Sequence, residues 1–184
     1  MPILRKTVMR RGLAIGIVCC AGLSSAVAGD WPNWRGPDQN GVASGEGYPM
    51  HWSKTENIAW KVDLPGRGAS TPVVSNGKII LTCGIDGRNA VLCFDRAGKL
   101  LWTTTIGAEK AGKHAKATGS NPSAVTDGKH IYVYFKSGDL ACLDFEGTVA
   151  WQKNLQDLYG EDTLWWDLGT SPVLTREFVV VAVM

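Results

Sequence analysis

A block of about fifty residues recurs along this chain, and a period of that length commits a sequence to a stack of similar units rather than one irregular core. Ser70-Thr71-Pro72-Val73-Val74, then Asn76-Gly77-Lys78 and the apolar run Ile79-Ile80-Leu81, is answered by Asn121-Pro122-Ser123-Ala124-Val125, then Asp127-Gly128-Lys129 and Ile131-Tyr132-Val133. A third copy opens at Thr170-Ser171-Pro172-Val173-Leu174 and runs into Phe178-Val179-Val180-Val181. Downstream in each unit, Leu92-Cys93-Phe94-Asp95, Gly98 and Trp102 recur as Ala141-Cys142-Leu143-Asp144, Gly147 and Trp151.

Each unit divides into four short strands: one after the proline, one after the Asn-Gly or Asp-Gly turn, one ending at Cys-x-Asp, and one around the tryptophan. Four antiparallel strands per repeat is the composition of a β-propeller blade, so the expected fold is all-β, with about two and a half blades present. The runs Ile79–Leu81, Ile131–Phe135 and Phe178–Val183 are apolar with almost no alternation. That pattern predicts strands covered on both faces, with neighbouring blades as the covers. In Asp95-Arg96-Ala97-Gly98 and Asp144-Phe145-Glu146-Gly147, the aspartate is expected to accept turn amides while the glycine takes positive φ. Trp102 and Trp151 are expected to be buried and to fasten one sheet to the next, Trp151→Ala costing roughly 3–5 kcal/mol. The residues assigned to architecture are thus Pro72, Pro122, Pro172, Asp95, Asp144, Gly98, Gly147, Trp102 and Trp151.

The pattern Cys-x-Asp-x-x-Gly-x-x-x-Trp at Cys93–Trp102 and Cys142–Trp151 resembles the pyrroloquinoline-quinone (PQQ) repeat. Asp30-Trp31-Pro32-Asn33-Trp34-Arg35-Gly36-Pro37 resembles the opening of secreted PQQ-like propeller proteins of planctomycete-type bacteria. Such families close seven or eight blades into a ring. The chain stops at Val183-Met184, inside an apolar run, and is therefore expected to be truncated. Trp166-Asp167 is read as an accidental dipeptide, because the repeating tryptophans precede Lys61, Thr103 and Gln152 and carry no WD40 signature.

Ahead of the repeats, Arg5, Lys6, Arg10 and Arg11 precede an apolar run from Gly12 to Leu23 that ends in Ser24-Ser25-Ala26-Val27-Ala28. These are the three parts of a signal peptide, with cleavage expected after Ala28. The run is shorter than the ~20 apolar residues a spanning helix needs, so no stable membrane insertion is expected after cleavage. Arg10-Arg11-Gly12-Leu13 leaves a twin-arginine route open beside ordinary secretion. A lipid anchor at Cys19 or Cys20 is disfavoured by what precedes each: Val18 for the first and Cys19 for the second. The expected organisation is a signal peptide over 1–28, a lead-in over 29–56 and truncated repeats over 57–184, in the periplasm or cell envelope. Loss of the leader takes the 19 Lys and Arg to 15 against 17 Asp and Glu, a balance that argues against nucleic acid.

Export would leave Cys83, Cys93 and Cys142 in an oxidising compartment. Cys83 and Cys93 flank a hairpin turn, where a disulfide is conceivable, but burial as free thiols is the favoured reading. Chemistry has few carriers. In PQQ dehydrogenases the resemblance would call for a vicinal disulfide, a tryptophan beneath the quinone, and calcium with a catalytic aspartate. The adjacent cysteines here, Cys19 and Cys20, lie in the leader. Glu161, Asp162 and Asp167 near Trp165-Trp166 form an acidic-aromatic group, read as an inter-blade loop with a packing tryptophan rather than a calcium site. The polar stretch Glu109–Lys116, with its lone His114, is read as a solvated loop. No catalytic, cofactor-binding or metal residue is assigned, and no cofactor is expected. Two functions remain: a noncatalytic envelope propeller that binds protein partners, or the N-terminal part of a PQQ-dependent oxidoreductase whose cofactor site lies in further blades.

Overall fold

The computed structural model describes residues 29–183; the leader expected over 1–28 lies outside them. Two four-stranded antiparallel sheets follow one another, each in simple up-and-down order. The first holds β1 (Val73–Ser75), β2 (Lys78–Ile85), β3 (Arg88–Asp95) and β4 (Leu100–Ala108). The second holds β5 (Val125–Thr126), β6 (His130–Tyr134), β7 (Asp139–Asp144) and β8 (Val149–Asn154). A one-turn helix α1 (Leu155–Tyr159) leaves β8, and β9 (Val173–Leu174) pairs with β10 (Val179–Val180) as the start of a third unit. The all-β blade architecture is as the repeat predicts, apart from α1. That turn exists because the Asn154 side chain accepts the amides of Gln156 and Asp157, a cap that period reading passes over.

The unbroken apolar runs have the expected cause. Val91 and Cys93 of β3 face a cluster shared with the second blade, including Ile131, Val133, Phe135, Ala141 and Leu143. Their neighbours Ala90, Leu92 and Phe94 face the opposite side with Leu81 and Cys83. Tyr134 and Leu140, on the far side of the second blade, meet Leu155, Leu168 and the third unit. Each sheet therefore has two dry faces. The third run departs from expectation: Phe178 is 67 % exposed and Val180 50 %, because among the described residues no further sheet covers them.

Cys83 and Cys93 lie on opposite faces of the first sheet, Cys83 paired across the strands with Ala90 and Cys93 with Ile80. They are not bonded to each other, and Cys142 is also a free, buried thiol. Burial raises the Cys93 thiol to about 11, Lys78 opposing and Glu146 adding to the shift, and burial is also the leading cause of the raised values of Cys83 and Cys142. Thiols held protonated in a core are poor nucleophiles. All three are expected to resist a neutral-pH thiol reagent in the folded chain and to react once urea unfolds it, as peptide mapping would show.

The Cys-x-Asp-x-x-Gly segment acts as expected, with one addition. Asp95 accepts the amides of Ala97 and Lys99, each at 2.9 Å, and Asp144 those of Glu146 at 3.0 Å and Thr148 at 2.8 Å. Gly98 and Gly147 have φ of 82° and 87°. In both blades the strand register shifts immediately after the cysteine, a bulge that bends the third strand into its turn.

The tryptophans dock one blade further on than their own turn. Trp102 Nε1 donates to Phe145 O at 3.0 Å, and a Cβ on Gly147 would stand 2.7 Å from its ring. Trp60, ahead of the first blade, repeats this on the first turn, donating to Arg96 O at 2.8 Å with its ring 2.7 Å from a Cβ on Gly98. Trp151 has no such turn against it among the described residues, and it is 39 % exposed, touching Tyr132 at a centroid distance of 6.2 Å. The expected burial of Trp151 is therefore corrected: docking needs the next blade's turn. Gly147→Ala meets both a left-handed backbone and the Trp102 ring, and should cost about 2 kcal/mol, measurable as a lowered urea midpoint.

Serines tie the starts of successive units together. Ser123 Oγ accepts Thr71 N at 2.8 Å, and Ser171 Oγ accepts Ser123 N at 2.9 Å. The lead-in also crosses both blades: Trp31 pairs with Val74 of β1, and Pro32 O accepts Thr126 N of β5 at 2.9 Å.

Candidate functional site

Blade strands are joined alternately at two ends of the sheet. At one end the links are tight turns; at the other run the two long connections, 109–124 after β4 and 155–172 after β8. Within them lie the polar stretch Glu109–Lys116 and the acidic-aromatic group of Glu161, Asp162 and Asp167 that the sequence reads as loops, and the structure brings the two connections together on a buried charge. Lys136, in the link between β6 and β7, has its side chain only 1 % exposed, and its ammonium meets Asp167, 8 % exposed, from the second connection. Lys136 Nζ also donates to Ala111 O of the first connection at 2.9 Å.

Asp167 serves both sides. Its Oδ1 accepts Lys113 N at 2.7 Å and its Oδ2 accepts His114 N at 2.8 Å. Lys113 Nζ returns a bond to Leu164 O, and Asn121 Nδ2 donates to Leu168 O at 3.1 Å. The Trp166-Asp167 pair is no repeat signature, yet Asp167 has a structural role of its own. It is the anion around which two distant loops are ordered. Burial by itself would raise its pKa, but the bonds from Lys136 and from the Lys113 and His114 amides outweigh that and hold it at about 2.

The sign of the resulting pH dependence follows. A carboxylate whose folded value lies below its ordinary 3.8 binds fewer protons folded than unfolded. Its stabilisation is complete above pH ~4 and is lost as pH falls towards ~2, so the melting temperature should decline over that window in the wild type.

Beside this anchor lies an open cavity of about 620 Å³ lined by Arg67, Glu109, Lys113 and His114 together with backbone of Gly84 and Gly87. Arg67 Nη2 donates to Ala115 O at 2.7 Å, and His114 Nδ1 accepts Lys116 N at 3.1 Å. The histidine is engaged in its own turn. Across the blade interface, Asp139 accepts Ser137 Oγ at 2.7 Å and Gln152 Nε2 at 3.0 Å, and a Cβ on Gly107 would stand 2.3 Å from it. This carboxylate packs a seam. Among the described residues no group of three His, Cys, Asp or Glu is placed to hold a metal ion.

The second connection differs from expectation on its outer side. Trp165 and Trp166 do not pack between blades: they stand 82 % and 50 % exposed, edge to face at 5.1 Å. Leu158 and Tyr159 of α1 are 58 % and 73 % exposed. Glu161 and Asp162 accompany them, Asp162 Oδ1 accepting Leu164 N at 2.8 Å. The arrangement is chemically a surface: ordered backbone, exposed aromatic rings and carboxylates. The tryptophan pair was visible in the sequence, but its exposure was not.

A family model described as outer membrane protein assembly factor BamB matches residues 38–183. Among solved structures, BamB from Moraxella catarrhalis is similar at 17 % identity and a TM-score of 0.46, over 66 % of this chain and 32 % of that one. The quinohemoprotein alcohol dehydrogenase ADHIIG from Pseudomonas putida HK5 is similar at 19 % identity and a TM-score of 0.43, over 65 % of this chain and 17 % of that one. The chain therefore spans about a third of the BamB structure and about a sixth of the dehydrogenase. No curated protein matches.

Proposed function

The chain belongs to the family of PQQ-like repeat propellers described by the outer membrane protein assembly factor BamB, and from that premise we propose that it is a noncatalytic scaffold of the cell envelope. The observation that carries the reading is the loop face: its central ion pair is spent on holding two connections in place, while aromatic side chains of one connection stand in solvent. A rigid backbone that presents exposed aromatic rings suits recognition, because preorganisation lowers the ordering cost and aromatic side chains dominate binding energy. Export by the leader over 1–28 belongs to the same proposal. No helix among the described residues is long and apolar enough to cross a membrane.

Incorporating a photo-crosslinking amino acid at Thr163, on the loop face, and separately at Lys99, on the turn face, tests the proposal in cells. Discrete protein adducts in the envelope fraction from Thr163 and none from Lys99 are the expected result. Stoichiometric binding of PQQ with calcium, accompanied by reduction of an artificial dye, would replace the scaffold with an oxidoreductase.

A further inference from the structure

Resting on the scaffold reading, we propose that the connection from Leu155 to Leu168 docks a cationic, apolar segment of a partner protein. Four large side chains in this one stretch, Leu158, Tyr159, Trp165 and Trp166, are at least half exposed. Exposed apolar patches of this kind mark interaction sites, and Trp and Tyr are the residues that most often dominate binding energy. The stretch is held at several points: by the Asn154 cap, by Leu164 O and Leu168 O bonded to the neighbouring connection, and by Asp167. Little ordering entropy remains to oppose a partner.

Charge selects the partner. Residues 155–172 contain four carboxylates, Asp157, Glu161, Asp162 and Asp167, and neither Lys nor Arg. Asp167 is neutralised by Lys136, and among the described residues no cation forms an ion pair with the other three. An incoming lysine or arginine meets these carboxylates and the faces of the two indoles, whereas an acidic segment, an anionic lipid or a nucleic acid is repelled.

The full chain would be titrated with a short peptide alternating Lys and Leu and with its Glu-Leu counterpart, following tryptophan emission. Saturable binding of the first alone is expected. It should weaken at least about tenfold in Trp165→Ala/Trp166→Ala and in Glu161→Gln/Asp162→Asn, at unchanged melting temperature, and should fall with added salt. Equal binding of both peptides, no effect of either double variant, or a blue shift of the indoles on phosphatidylglycerol vesicles instead would overturn it. If crosslinks form at Thr163 while the peptides are not distinguished, only this partner chemistry falls. Charge-selective peptide binding without any crosslinked partner would uphold the surface chemistry and count against the scaffold.

Discussion

Asp167→Asn is expected to cost about 3–5 kcal/mol in urea unfolding, although the residue lies in a connection rather than a strand. The cost does not arise from the attraction lost. It arises from Lys136, whose side chain is 1 % exposed and would be left charged beside neutral acceptors only, Ala111 O among them. An amide still accepts one backbone N–H from the first connection, so the loop keeps part of its tether. Lys136→Met alone should be equally damaging, because Asp167 would then be the unpaired buried ion. Combining Lys136→Met with Asp167→Asn removes both charges, and a double-mutant cycle should recover much of either single loss. Strict additivity of the two would show that the pair is not the organising contact. The pH profile gives a second check. Asp167→Asn should lose the stability decline between pH ~4 and ~2.

Trp102→Ala should cost about 3 kcal/mol, while Trp151→Ala, the same substitution at the matching place in the repeat, should cost about 1 kcal/mol or less. Trp102 covers Gly147 and donates to Phe145 O, so its removal opens the interface between two sheets and leaves that carbonyl to Lys78 Nζ alone. Trp151 touches Tyr132, is 39 % exposed, and has no neighbouring turn against it among the described residues. Melting curves of the two variants side by side decide the matter. Equal losses would mean that the tryptophan stabilises its own blade rather than the next. Trp60→Ala should fall between the two, because Trp60 repeats the hydrogen bond and ring contact on Arg96 and Gly98 but is 39 % exposed.

Much of this was legible before any coordinates. A fifty-residue period, glycines where φ turns positive, and aspartates placed to accept turn amides are local facts, set by backbone sterics and by hydrogen bonds a few residues long. The apolar runs of β2 and β6 also carried their meaning directly, since a strand with no polar face must be covered twice. Trp151 shows where that logic stops. Its sequence neighbourhood equals that of Trp102, but its burial depends on a turn belonging to another blade.

The loop face shows the same limit more strongly. Glu109–Lys116 and Glu161–Asp167 were both recognised as polar connections, and each by itself lacked any partner at a meaningful spacing. Their partner was Lys136, which sits in a blade link and resembles any surface lysine in one dimension. By itself the sequence determined the blade and its turns, because those follow from periodicity and short-range sterics. Only the tertiary structure decided which tryptophan is docked, which aspartate is buried and which aromatic pair faces water, because these depend on segments that meet in space after tens of intervening residues.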